Sequence, residues 1–206
     1  MNAQTKRSWL AIGVVIVLVG IAFGINRATS SSGSNASSAQ HKEQVALADL
    51  PDCPASTGAG KVGGGLPALT LPCLGNGPKV NLAKLRGPIV LNVWAGPCPP
   101  CKAEAPLVQQ FYAAAKGKIG VLGVVDGAYP AETWDDALNA SHGLGLHYPS
   151  VFDAHGKLIE QVHAGGIPIT VFVGADGKVV HTKVGQLKDG ELARLAKQYF
   201  EIDVNA

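Results

Sequence analysis

The stretch from Ile89 to Val125 limits the fold more than any other part of the chain. IVLNVWA, Ile89 to Ala95, is a nearly unbroken apolar run rich in β-branched residues, which suits a strand covered on both faces. A turn built from cysteine and proline follows. From Cys101 to Lys116, Leu107, Phe111 and Ala115 recur at helical spacing, and Ile119 to Val125 (IGVLGVV) reads as a second buried strand. A strand, a helix and a strand in this order make a βαβ unit, so the sheet is flanked by helices. Farther on, Ala131 to Ala140 reads as a helix that Gly143 is placed to stop. Tyr148 to Phe152, Ile169 to Val173 and Val179 to Val184 read as strands, the last two joined by the hairpin loop Gly174-Ala175-Asp176-Gly177. Asp189 to Phe200 closes the chain as a helix with Leu192, Leu195, Ala196 and Tyr199 on one face. One α/β domain over residues 49–206 accounts for these elements, opening with an irregular segment to about Leu85.

The first 48 residues have a different character. Trp9 to Ile25 carries no charge for 17 residues, and as a helix it would extend about 26 Å, enough to cross a bilayer core. Lys6 and Arg7 precede it and Arg27 alone follows, so the positive-inside rule keeps the N-terminus cytoplasmic and exports the rest. Residues 1–27 are therefore expected to be a cytoplasmic N-terminus and single transmembrane anchor in the cell membrane. The alternative is a cleaved signal peptide, with Ala22 and Gly24 as the small residues before the cut and a secreted product. Residues 28–48 read as a flexible linker, since residues 28–40 hold six serines and no charge. Lys6, Arg7 and Arg27 are the only charges before Lys42, and setting them aside leaves 14 basic against 15 acidic side chains. No basic face remains to suggest a nucleic-acid partner.

Four cysteines are too few to build a disulfide miniprotein, so their spacing matters more than their number. Cys98 and Cys101, two residues apart at a strand-to-helix junction, can close a small disulfide ring, and the helix N-terminus stabilises a thiolate at the first sulfur. In that reading Cys98, at the exposed end, attacks a substrate disulfide, and Cys101, one turn in and more buried, resolves the mixed disulfide. Pro99 and Pro100 fix φ and remove two backbone donors. A zinc site would need four ligands, and the 20-residue separation of Cys53 and Cys73 is no zinc knuckle. An oxidising exported compartment instead favours a structural disulfide between Cys53 and Cys73, the pair left once Cys98 and Cys101 are joined.

The stretch NVWAGPCPPCKAEAP resembles the active-site segment of the thioredoxin superfamily, and in particular of the membrane-tethered TlpA/ResA/CcmG-like thiol-disulfide oxidoreductases. The resemblance rests on Trp94, the two cysteines, Glu104 three residues after the second, and Pro106, and it extends from about Leu66 to the C-terminus. It implies a thioredoxin-like fold, a central mixed β-sheet flanked by helices, here preceded by the N-terminal transmembrane helix. It also implies a cis-proline facing the disulfide at Pro168, with Trp94, Pro97, Pro99, Pro100, Ile167 and Pro168 receiving the substrate. A proline lacks an N–H, which leaves the preceding backbone free to pair with an incoming strand. The implied substrates are exported proteins bearing disulfides, apocytochrome c among them, and the implied partner is a membrane electron carrier that supplies reductant. No cofactor or metal is called for.

Two residues depart from the family pattern. Pro97 stands where a tryptophan usually precedes the first cysteine. Asn92 stands where cytoplasmic thioredoxins bury an aspartate in the central strand, so proton handling falls to Glu104, which shares a helix face with Cys101. The other reading of Glu104 is a first-turn carboxylate favourable to the helix dipole. His142, His147, His155, His163 and His181 lack ligand spacing and receive no role. Asp126 ends a buried strand and suits a turn or cap, and Trp134 suits packing. A disulfide-forming oxidase would use the same residues at a higher potential. A thiol peroxidase would want a hydroxyl residue before its nucleophile, where Ala95, Gly96 and Pro97 stand, and a metal-binding module is a minor alternative.

Overall fold

The structure, a computed structural model, describes residues 50–206. The expected anchor (1–27) and the whole of the linker (28–48) lie outside these residues, and no helix among the described residues is long and apolar enough to cross a membrane. The chain runs β1 (Thr70–Leu71), β2 (Val80–Asn81), a 3-10 turn (Leu82–Lys84), β3 (Ile89–Trp94), α1 (Pro99–Ala115) and β4 (Gly120–Asp126). It continues through α2 (Trp134–Gly143), β5 (Ser150–Asp153), α3 (Lys157–Gln161), β6 (Ile169–Val173), β7 (Val179–Val184) and α4 (Glu191–Phe200).

The main sheet has the order β5-β4-β3-β6-β7. β3 and β5 both pair in parallel with β4, whereas β6 pairs antiparallel with β3 and β7 antiparallel with β6. The sheet is therefore mixed, with β3 at its centre. Along β3, Val90 and Trp94 join the cluster that contains Val108 and Phe111 of α1, Ala137 and Leu138 of α2, and Leu192 and Leu195 of α4. The intervening Leu91 and Val93 join a second cluster with Leu158 of α3 and with Cys53, Leu66, Cys73 and Val80 from the chain before β3. Strand alternation thus sends every second side chain to each of two cores. Asn92 breaks the apolar run, yet it is buried too.

The segment before β3 is less irregular than its sequence suggests. β1 and β2 form a two-stranded antiparallel ladder, and the chain beside them covers the sheet edges. The Leu74 N–H donates to the Ser150 carbonyl (2.7 Å) and the Phe152 N–H to the Pro72 carbonyl (3.0 Å), so β5 is not left as an open edge. On the far side, the Val179 N–H donates to the Gly64 carbonyl (2.9 Å) at the start of β7. Both contacts are long-range, which is why local patterning does not reveal them.

α2 begins later than its hydrophobic spacing suggests, because Thr133 and Asp136 form a capping box that fixes its N-terminus. It also ends later. Gly143 is helical, and the stop lies at Gly145 (φ 62°), where the Leu146 N–H reaches the Ser141 carbonyl (2.9 Å) and the Gly145 N–H the His142 carbonyl (3.0 Å). That is a Schellman closure, and it needs the left-handed residue one position past the C-cap.

Candidate active site

The end of the central strand delivers the cysteine pair to the start of α1. The Cys98 N–H donates to the Ala95 carbonyl (3.2 Å), which closes a turn over Gly96 and Pro97. Cys98 then serves as N-cap of α1, its Sγ accepting from the Cys101 N–H at 3.3 Å. Pro99 and Pro100 occupy the first two helical positions, where a missing N–H costs nothing. Cys98 and Cys101 are joined, with S–S 2.06 Å.

Exposure differs from the sequence expectation. Cys98 is 1% exposed and Cys101 2% exposed, so Cys98 is not the open end of the pair. Both belong to the apolar cluster that includes Trp94 and Ala95, with Ile167 packed against it. Exposed Pro97 and Pro99 lie on either side of Cys98 in the chain. Trp94 is 2% exposed, so it packs in the core beneath the pair and offers no surface to a substrate in this form. Ile167 is half-buried, Pro168 is buried, and the peptide bond between them is cis.

Glu104 lies one turn beyond Cys101 and is wholly buried. Its Oε1 accepts from Asn92 Nδ2 (2.7 Å) and its Oε2 from the Leu187 N–H (2.7 Å), so neither oxygen is directed to Cys101 by a hydrogen bond. The Tyr148 hydroxyl in turn donates to Asn92 Oδ1 (3.5 Å). Burial pushes the Glu104 carboxyl above its ordinary value, and the bonds from Leu187 and Asn92 oppose the rise only in part. The helix-dipole alternative needs a carboxylate in the first turn, and Glu104 is the sixth residue of α1, beyond that turn. Asn92 thus takes the place of a buried aspartate by presenting a buried glutamate instead.

The loop after β7 couples this carboxylate to the proline. The Gly185 N–H donates to the Pro168 carbonyl (2.9 Å), and two residues later the Leu187 N–H meets Glu104. Gly185 has φ 82°, a conformation that side chains other than glycine rarely take. Lys183 Nζ donates to the carbonyls of Val184, Gly185 and Gln186 (2.9 to 3.1 Å), which curls the loop back on itself.

A second buried carboxylate, Glu132, has nothing in the sequence that marks it apart from other acidic residues before a helix. Both its oxygens accept from the Gly96 N–H (2.9 and 3.1 Å). Asp126 has a turn role, its Oδ1 accepting from the Ala128 N–H (3.1 Å), and Trp134 packs edge-on against Phe152 at 5.5 Å. Cys53 and Cys73 are joined in a disulfide far from this turn in sequence, both nearly buried. Among the described residues no three His, Cys, Asp or Glu side chains gather as a metal site.

The Redoxin family profile matches residues 61–199. The chain belongs to the Redoxin family. It is 32% identical over 124 residues to the thiol-disulfide oxidoreductase ResA of Bacillus thuringiensis (strain Al Hakam), a match covering 59% of this chain and 69% of that protein. It is also 30% identical over 158 residues to the thiol:disulfide interchange protein CycY of Rhizobium leguminosarum bv. viciae, covering 73% and 78% of the two chains. Among solved structures, a secreted disulfide oxidoreductase of Mycobacterium tuberculosis homologous to E. coli DsbE superposes with TM-score 0.51 at 26% identity, covering 61% of this chain and 91% of that one. With the joined cysteine pair at the strand–helix junction, these relatives make the chain a thiol-disulfide oxidoreductase of the ResA/CcmG type with a thioredoxin-like fold.

Proposed function

We propose that this oxidoreductase reduces disulfides in exported proteins from the outer side of a membrane, anchored by residues 1–27 and tethered by the linker 28–48. The Cys98 thiolate attacks a substrate disulfide, forming a mixed disulfide and expelling one substrate thiolate. Cys101, deprotonated with Glu104 as the proton acceptor, then attacks Cys98 Sγ and releases the second substrate sulfur. Two electrons pass to the substrate, and the Cys98–Cys101 disulfide remains. Substrate backbone pairs at Ile167, ahead of Pro168, and approaches over Pro97, Pro99 and Pro100. Cys53–Cys73 is structural, holding the segment that covers β5. Apocytochrome c haem-site cysteines are the substrate class that the family resemblance suggests. A membrane electron carrier must return the pair to its dithiol form.

The observation that carries this reading is the joined pair capping α1 one turn ahead of a wholly buried glutamate. Pro99 and Pro100 supply no N–H to Cys98, and a carboxylate at Glu104 disfavours thiolate nearby. One contact favours the oxidase alternative: the Cys101 N–H lies 3.3 Å from Cys98 Sγ and stabilises a thiolate there. Equilibration with glutathione buffers separates the two. The reductase reading expects a potential near the reducing figure of about −270 mV, and a value above about −180 mV would support the oxidase.

A further inference from the structure

We propose that Glu132 is a positioning residue for the redox pair: its carboxylate, seated on the Gly96 N–H, holds the turn that presents Cys98, and its ionisation governs how readily Cys98 loses its proton. The inference rests on the reading of Cys98 as the attacking thiol and adds a second acid–base group to that site.

The geometry is specific. Gly96 and Pro97 are the two central residues of the turn closed by the Cys98 N–H and the Ala95 carbonyl. Pro97 has no N–H, so the Gly96 N–H is the donor that this two-residue link can offer, and Glu132 takes it with both oxygens at 2.9 and 3.1 Å. The close approach depends on glycine: a Cβ at Gly96 would collide with Glu132 Oε1 and come within 2.7 Å of Ala140 Cβ. On the other side, Ala131 holds φ 63°, a left-handed conformation unusual for a residue with a side chain, immediately before Glu132. Such backbone persists only where its surroundings determine it. Here it precedes the residue whose side chain reaches the cysteine turn at Gly96.

Glu132 is 7% exposed and lines an open groove of ≈380 Å³ together with Gly96, Pro97, Lys102, Ala131 and Ala140. Protons can therefore reach it from solvent beside Pro97, the residue before Cys98. Burial pushes its carboxyl up to about 7, opposed by the Gly96 hydrogen bond. The charged groups acting on it come from three elements: Asp136 of α2 and Asp126 at the end of β4 raise it further, and Lys102 of α1 lowers it. It changes charge in the same pH range where a thiol at a helix N-terminus titrates. A negative carboxylate bonded to the turn disfavours the Cys98 thiolate, so the two groups titrate as a coupled pair. A purely structural anchor would need an acceptor on the Gly96 N–H and nothing more.

The test uses the full chain in a Cys101→Ser background, with iodoacetamide alkylation of Cys98 followed from pH 5 to about 9. With Glu132 present, the rate is expected to rise over a span wider than one proton step. With Glu132→Gln, which keeps an oxygen on the Gly96 N–H and cannot ionise, the curve should narrow to a single step at lower pH, with the rate at pH 8 increased about threefold and the rate at pH 6, where Glu132 is already protonated, nearly unchanged. The Glu132 carboxyl carbon, followed by 13C NMR in the oxidised protein, should titrate near pH 7. Superimposable alkylation curves, or a carboxyl midpoint near 4.5, would overturn the proposal while leaving a reactive Cys98 intact. An unreactive Cys98 in both proteins would instead refute Cys98 as the attacking thiol, and this inference with it.

Discussion

Replacing Cys53 and Cys73 together by alanine opens a loop whose ends are 20 residues apart. Chain-entropy reasoning for a loop of that length assigns the bond about 3 kcal/mol, exerted through the unfolded state. In the folded protein the same bond secures a strap: the Cys53 N–H donates to the Asn76 carbonyl (3.2 Å), and Leu74 and Pro72 pair with the free edge of β5. For a domain of this size each kcal/mol lowers the melting temperature by roughly 2 to 4 °C, so the double variant should melt roughly 6 to 12 °C lower. Urea unfolding of both proteins, each with Cys98–Cys101 oxidised, measures the loss as a lower unfolding free energy, with a higher m-value because the denatured chain without the cross-link is less compact. The redox pair lies outside the opened loop, so thiol exchange should persist at temperatures where the variant stays folded. A loss of less than about 0.5 kcal/mol would refute the reasoning. Free thiols at both positions in the oxidised wild-type protein would refute it more directly.

Further outcomes follow from the two buried carboxylates and the helix they border. Glu104→Gln should slow thiol exchange at neutral pH on the order of 10²-fold, read by insulin-disulfide reduction across pH. It should also cost about 1 to 3 kcal/mol of stability, because Gln turns an NH2 toward one of two donors, the Leu187 N–H or Asn92 Nδ2. Equal activity of the variant from pH 6 to about 9 would remove Glu104 from the chemistry. Glu132 has a folded value of about 7, above its ordinary 4.5, so the folded state binds the extra proton. Its stabilising contribution is complete below about 4.5 and is lost as pH rises through about 7. The stability of Glu132→Gln relative to wild type should therefore improve by up to about 3 kcal/mol between pH 4 and pH 8, and a flat difference would contradict the assignment. Phe111→Ala removes a side chain of α1 that is 1% exposed in the main core, and should cost about 3 to 5 kcal/mol by urea unfolding.

What the sequence made legible was local. β3, α1 and β4 follow from an apolar run, a helical repeat and a second apolar run, and each is observed within a few residues of its expected limits. The hairpin of β6 and β7 follows from its glycine loop, where Gly177 takes φ 84°. The less legible features depend on distant partners. α3 spans only Lys157–Gln161, too short to show a helical period, and β1 and β2 are two residues each. α2 starts later than the expected Ala131 because the capping box at Thr133 decides the start. In the site, the spacing places Glu104 one turn beyond Cys101 on α1, but its hydrogen-bond partners come from β3 and from the loop after β7. The burial of Cys98 and Trp94 arises from packing around the turn, which residue type alone does not encode. Glu132 was invisible for the same reason, since its partner Gly96 is 36 residues away.

The central claim is that Cys98 attacks and Cys101 resolves, and mixed-disulfide trapping tests it most directly. Cys101→Ser and Cys98→Ser variants of the full chain would be incubated with a disulfide-bearing exported protein and resolved by non-reducing electrophoresis and peptide mass spectrometry. The account predicts that Cys101→Ser accumulates a covalent complex through Cys98, and that Cys98→Ser accumulates none. Complexes formed through Cys101 in the Cys98→Ser variant, with none in Cys101→Ser, would contradict it.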